Sequence, residues 1–277
     1  MRRAFLLAGA ALAGAAQGGG PTRLMTLGDS ITYGCGGRGM PPIWALECGP
    51  LDGSYRAPLY RMLRDTGFTL PAGVANASLG NASFQFVGCG PSNGPIDVPP
   101  LQLAHCGVSG IGLAGVIHNA PTWGPVGADF VLLHLGVNDV ERVPLPVMVS
   151  NLTTLLTLIR VYQPNATTVL ASIVNPHYND IAPPLPPNST IGPLEVGAYN
   201  AALPGVVAAA VARGQRVVFA DVNKRSNWCR GDAGEGAPPF PCTGVHPTVA
   251  GYAGMAMAFF EVLAPLLPLP GAVQRSD

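Results

Sequence analysis

The sequence predicts an α/β fold: a three-layer α/β/α sandwich on a five-stranded parallel sheet. Three observations carry this. Short apolar runs alternate with segments of helical periodicity, the pattern of strands joined by crossover helices. The strand-like runs are apolar at successive positions, as expected where helices cover both faces of a sheet. Hydrophobic residues fill 48 % of the 277 positions, which supplies a sizeable core and excludes a mainly disordered chain.

The elements follow in order. Arg23-Leu-Met-Thr-Leu-Gly28 reads as a short buried strand ended by glycine. Tyr55 to Thr66 places Leu59, Met62 and Leu63 at helical spacing and stops at Gly67, a good C-terminal signal. Ser83 to Val87 is a second strand. Asp129-Phe-Val-Leu-Leu-His-Leu135 is the strongest strand, closed by Gly136. Pro146 to Tyr162 reads as a helix and Thr167 to Val174 as the fourth strand. Leu194 to Arg213 is an Ala/Val-rich helix ended by Gly214, and Gln215 to Asp221 the fifth strand. Pro247 to Leu263 is the last helix, with proline suited to its first turn. Pro176 to Pro193 is rich in proline and reads as a long surface loop. Ligands of such sheets sit at the carboxyl ends of the strands.

Composition bounds the function. Fifteen basic residues balance fifteen acidic ones, so no electrostatic footprint for nucleic acid is present. Met1-Arg2-Arg3 followed by the apolar run Ala4 to Ala16, with Ala13-Gly14-Ala15 as exit, has the form of a secretory signal peptide. The run is short of the about 20 residues a membrane span needs. Residues 1–17 are therefore read as a signal peptide and 18–277 as one domain of a secreted protein. Six cysteines without a C-x-x-C pair favour disulfides. Their order suggests the short loops 35–48, 89–106 and 229–242. Sequons at Asn76, Asn81, Asn151, Asn165 and Asn188 suggest a glycoprotein.

Three residues stand where chemistry is expected. Ser30 follows the first strand, Asn138 follows the third in Gly136-Val137-Asn138-Asp139, and His246 opens the last helix. A serine, a base and an amide on one rim are the parts of acyl transfer. A serine hydroxyl needs an imidazole to take its proton, and the tetrahedral oxyanion needs donors aimed at it.

Gly-Asp-Ser-Ile-Thr (28–32), Val-Ser-Gly (108–110), Gly-Val-Asn-Asp (136–139) and Val-His-Pro (245–247) together resemble the SGNH hydrolases, the GDSL-type esterase and lipase superfamily. The resemblance implies a flavodoxin-like sheet order, Ser30 as nucleophile and His246 as general base. It further implies an oxyanion hole from the Ser30 and Gly110 N–H groups and the Asn138 side chain; no cofactor is expected, and the scattered histidines lack ligand spacing, so no catalytic metal is expected either. Ser54-Tyr-Arg-Ala-Pro-Leu59, Phe84-Gln-Phe-Val-Gly88 and Leu132-Leu-His-Leu-Gly-Val-Asn-Asp139 resemble the acetylxylan-esterase branch, carbohydrate esterase family three. That branch implies deacetylation of a carbohydrate. A lipid or general carboxylester hydrolase, an acyltransferase, and a carbohydrate-binding protein on an impaired scaffold are the alternatives.

One position departs from the family. Its members carry Asp three residues before the catalytic histidine, where this chain has Thr243. The acid orients the imidazole and stabilises its charged form. Asp232 is the first candidate to replace it, in the loop that a Cys229–Cys242 bridge would hold near His246. Glu235, a backbone carbonyl and, more weakly, Asp221 are the others.

Some patterns are discounted. Gly34-Cys-Gly-Gly-Arg-Gly39 matches a dinucleotide fingerprint, but Pro41-Pro42 follows instead of a helix. His134 lies inside a strand and reads as core. His105, His118 and His177 lack ligand spacing. Trp44, Trp123 and Tyr178 are read first as packing residues and second as platforms for sugar rings.

Overall fold

A computed structural model describes residues 20–35, 53–66, 84–90, 97–98, 100–140, 142–174, 193–226, 246–247 and 249–267. Its sheet is parallel throughout. β1 (Thr22–Gly28) lies between β2 (Phe84–Val87) and the central β4 (Phe130–His134), and β5 (Thr167–Ala171) and β6 (Val217–Ala220) continue beyond β4. A two-residue strand, β3 (Cys106–Gly107), takes over from β2 along β1, pairing Leu27 and Gly28 where β2 pairs Thr22 to Met25. The sheet thus has six strands where five were expected. The order β2-β1-β4-β5-β6 is that of the flavodoxin-like class.

The strands form where both faces can be buried. Every residue of β4 and β5 is buried, as is all of β1 except Arg23. The helices present one apolar face each. α5 (Leu145–Tyr162) buries Met148, Leu152, Leu155, Leu156 and Ile159. This helix is long and apolar enough to cross a membrane by length and composition; here that face packs into the core. α2 (Arg56–Asp65) buries Leu59 and Leu63, and α8 (Val249–Leu263) buries Met255 and Phe259. Each such side chain contributes about 1.5–3 kcal/mol by leaving water.

Between these elements run α1 (Ser30–Tyr33), α3 (Leu113–His118), α4 (Ala120–Trp123), α6 (Pro193–Ala212) and α7 (Val222–Ser226). α8 starts at Val249, two residues past the position expected from Pro247. Trp123 is buried within α4, and its indole N–H donates to the Val116 carbonyl at 2.8 Å. Packing is therefore its use, and Trp44 and Tyr178 lie outside the described residues. His134 is fully buried, as read from the strand pattern.

Cys89 and Cys106 are disulfide-bonded. Cys35 is also in a disulfide, but the expected 35–48 and 229–242 pairings fall outside the described residues. The 89–106 bridge anchors β3, which two residues of pairing would hold weakly. Gly107 is required there for closeness: a Cβ would lie 2.5 Å from the Tyr33 backbone nitrogen. β3 can therefore lie directly against the helix that carries Ser30.

Candidate active site

β1, β3 and β4 end level, because Gly28 pairs with both Gly107 and His134. Ser30, Gly110 and Asn138 follow those ends within a few residues, so they share one rim. Asp29 shapes the first corner. Its Oδ1 accepts the Ile31 N–H at 2.9 Å, which caps α1 and starts the helix at the serine. The Ser30 N–H lies in the first turn, where helices have no internal acceptor to offer.

His246 comes from the other end of the chain. Its Nε2 lies 2.9 Å from Ser30 Oγ, across 216 positions of sequence. That is the distance at which an imidazole can take a hydroxyl proton. Ser30 is 6 % exposed, so the hydroxyl is covered yet next to the half-buried ring.

Gly110 and Asn138, the anion donors that the resemblance implies, follow the neighbouring strand ends. Gly110 has φ of +76°, a left-handed conformation that glycine adopts at no steric cost. Asn138 Nδ2 donates one hydrogen to the Ile111 carbonyl at 2.9 Å. That bond ties the amide to the Gly110 turn and leaves a second hydrogen on the same nitrogen. Asp139 fixes the turn from the other side. Its carboxylate accepts the Leu113 N–H at 2.9 and 3.1 Å and so caps α3. Sequence reasoning quoted Asp139 within its motif but gave it no task. Its signal is a carboxylate directly after the amide, at a distance from any expected helix start.

Against known families, residues 26–253 match the GDSL-like lipase/acylhydrolase model. The chain belongs to that family. Solved structures agree in architecture. A family 3 carbohydrate esterase from Clostridium thermocellum superposes with a TM-score of 0.61 at 26 % identity, over 90 % of this chain and 100 % of that one. A family 3 carbohydrate esterase from Talaromyces cellulolyticus gives 0.59 at 22 %, over 88 % and 97 %. An acetylxylan esterase from Geobacillus stearothermophilus gives 0.53 at 19 %, over 88 % and 94 %. At those lower identities the likeness is one of fold. No curated protein matches the sequence.

In this GDSL-like acylhydrolase the expected acid positions Asp232, Glu235 and Thr243 lie outside the described residues. Asp221 is described. It is exposed, and its Oδ1 accepts from the Ser172 hydroxyl and the Lys224 N–H, both at 3.2 Å. That makes it a cap for α7.

Burial gives the titratable groups of the rim their character. Loss of water holds the His246 imidazole below its ordinary 6.5, so at neutral pH it is uncharged and able to accept a proton. Asp29 moves the other way. Its full burial pushes the carboxyl up to about 7, the nearby Asp139 charge adds to this, and the Ile31 N–H opposes it. The histidine shift sets an expected pH profile. If His246 is the base, acidification protonates the ring and removes it, so the acid-side inflection of kcat/KM is expected below 6.5. A kcat/KM titration that inflects above 7 on the acid side would contradict this.

Proposed function

We propose that the chain is a secreted serine esterase that removes small acyl groups, acetyl first, from carbohydrate. The observation that carries this reading is the 2.9 Å contact between Ser30 Oγ and His246 Nε2. In the proposed reaction Ser30 Oγ attacks the ester carbonyl as His246 Nε2 takes its proton. The resulting oxyanion meets the Ser30 and Gly110 N–H groups and the Asn138 amide, each such donor being worth about 2.7–4 kcal/mol at the transition state. The imidazolium passes the proton to the departing alkoxide, which leaves as the sugar hydroxyl. Water then attacks the acyl-serine, His246 takes its proton, and the tetrahedral intermediate collapses. Ser30 regains its hydroxyl and the acid departs. Asp232 is proposed to orient the ring in place of an acid at position 243.

The acetyl-carbohydrate part rests on the 26 % identical carbohydrate esterase and on the Ser54-to-Leu59 and Leu132-to-Asp139 blocks. Secretion rests on the Met1-to-Ala16 pattern, the paired cysteines and the five sequons. The test is acetate release from acetylated xylan beside hydrolysis of longer-chain esters. Faster release of acetate is expected. Faster hydrolysis of the long-chain esters would replace the carbohydrate reading with a lipase-like one.

A further inference from the structure

Ser30 rides on a helix of a single turn, and one turn does not hold itself, because its hydrogen bonds repay too little of the ordering cost. Its carbonyls are held from outside. The Ser54 hydroxyl donates to the Ile31 carbonyl at 2.7 Å. The Arg56 guanidinium donates from Nη1 to the Thr32 carbonyl and from Nη2 to the Tyr33 carbonyl at 3.3 Å. The Tyr252 hydroxyl donates to the Cys35 carbonyl, two residues past the end of the helix. All three donors are buried. A cation at this end also suits the helix dipole, whose positive end is at Ser30.

Two details separate this arrangement from ordinary packing. Ser54 has φ of +58°, the only positive value at a non-glycine among the described residues. Such backbone conformations persist where the surroundings enforce them and gather at functional sites. Glycine would relax the backbone there but would lose the hydroxyl. Tyr252 lies on α8, six residues beyond His246, and its hydroxyl reaches a carbonyl five residues beyond Ser30. One hydrogen bond therefore joins the serine-bearing and histidine-bearing segments behind their point of contact.

We propose that Ser54, Arg56 and Tyr252 are positioning residues that set the distance and aim of Ser30 against His246. The proposal rests on the esterase reading above. Its test compares Ser54→Ala, Ser54→Gly and Tyr252→Phe with the wild-type full chain. The readouts are kcat and KM on p-nitrophenyl acetate, the fluorophosphonate labelling rate of Ser30, and Tm. A small misplacement of reacting groups is costly, so kcat and the labelling rate are expected to fall roughly tenfold in each variant while KM stays unchanged. Ser54→Gly is expected to be at least as stable as Ser54→Ala and equally slow. Lowered Tm with unchanged kcat and labelling rate would reduce Ser54 and Tyr252 to scaffolding and overturn the proposal. A Tyr252→Phe chain that fails to fold leaves the decision to the Ser54 pair. Absence of labelling in the folded wild type would instead remove the esterase reading itself.

Discussion

Alanine at position 30 leaves a folded protein that takes up no fluorophosphonate and turns over small esters about 10⁴-fold more slowly, or worse. In the proposed mechanism the Oγ supplies the electron pair that bonds to the acyl carbon, and water in its place is neither bound nor oriented. The side chain is small and its described partner is His246, so the fold should tolerate the loss. Equal Tm values for Ser30→Ala and wild type, with activity absent from one, would isolate the chemistry from stability. Removing His246 should cost nearly as much, and removing both little more than either, because the two act as one unit. Turnover by purified Ser30→Ala at more than a hundredth of the wild-type rate would exclude the acyl-serine mechanism.

Arg56→Met is expected to lower stability by about 3 kcal/mol or more, read from urea unfolding. Arg56 is 0 % exposed and donates to the carbonyls of Thr32, Tyr33 and Leu103. Each buried acceptor left without a donor costs about 1–3 kcal/mol. Burial also works against the arginine, pulling the guanidinium down to about 10, but it remains charged at neutral pH. Methionine restores part of the volume and none of the donors, which leaves the carbonyl cost dominant. A loss below 1 kcal/mol would mean that the burial cost of the cation cancels its hydrogen bonds.

The main sheet was legible because buried parallel strands announce themselves as continuous apolar runs. Phe130 to His134 and Thr167 to Ala171 fell within the expected runs, with ends trimmed by a residue or more. Two residues cannot show a period, so Cys106–Gly107 was invisible as a strand; only the paired cysteine hinted that its place was fixed. α3, α4 and α7 were missed for a similar reason, being one or two turns long, and α3 is capped from a distance by Asp139. On the rim, the placement of Ser30, Asn138 and His246 was legible because each follows a strand or precedes a helix within a recognisable block, whereas Gly110 was reached only through the resemblance of its Val-Ser-Gly block. Arg56 and Tyr252 were not legible. An arginine opening a helix reads as a solvated charge and a tyrosine in an apolar helix reads as core, and only tertiary contacts show that both reach back to the turn holding Ser30.

The bridge between Cys89 and Cys106 has a practical consequence. The stretch it secures leads within a few residues to Gly110. A purification buffer containing dithiothreitol would sever that tether while leaving the apolar interior in place. The treated sample could then look folded by circular dichroism yet hydrolyse esters poorly. Inactivity measured under such conditions would describe the buffer rather than the enzyme.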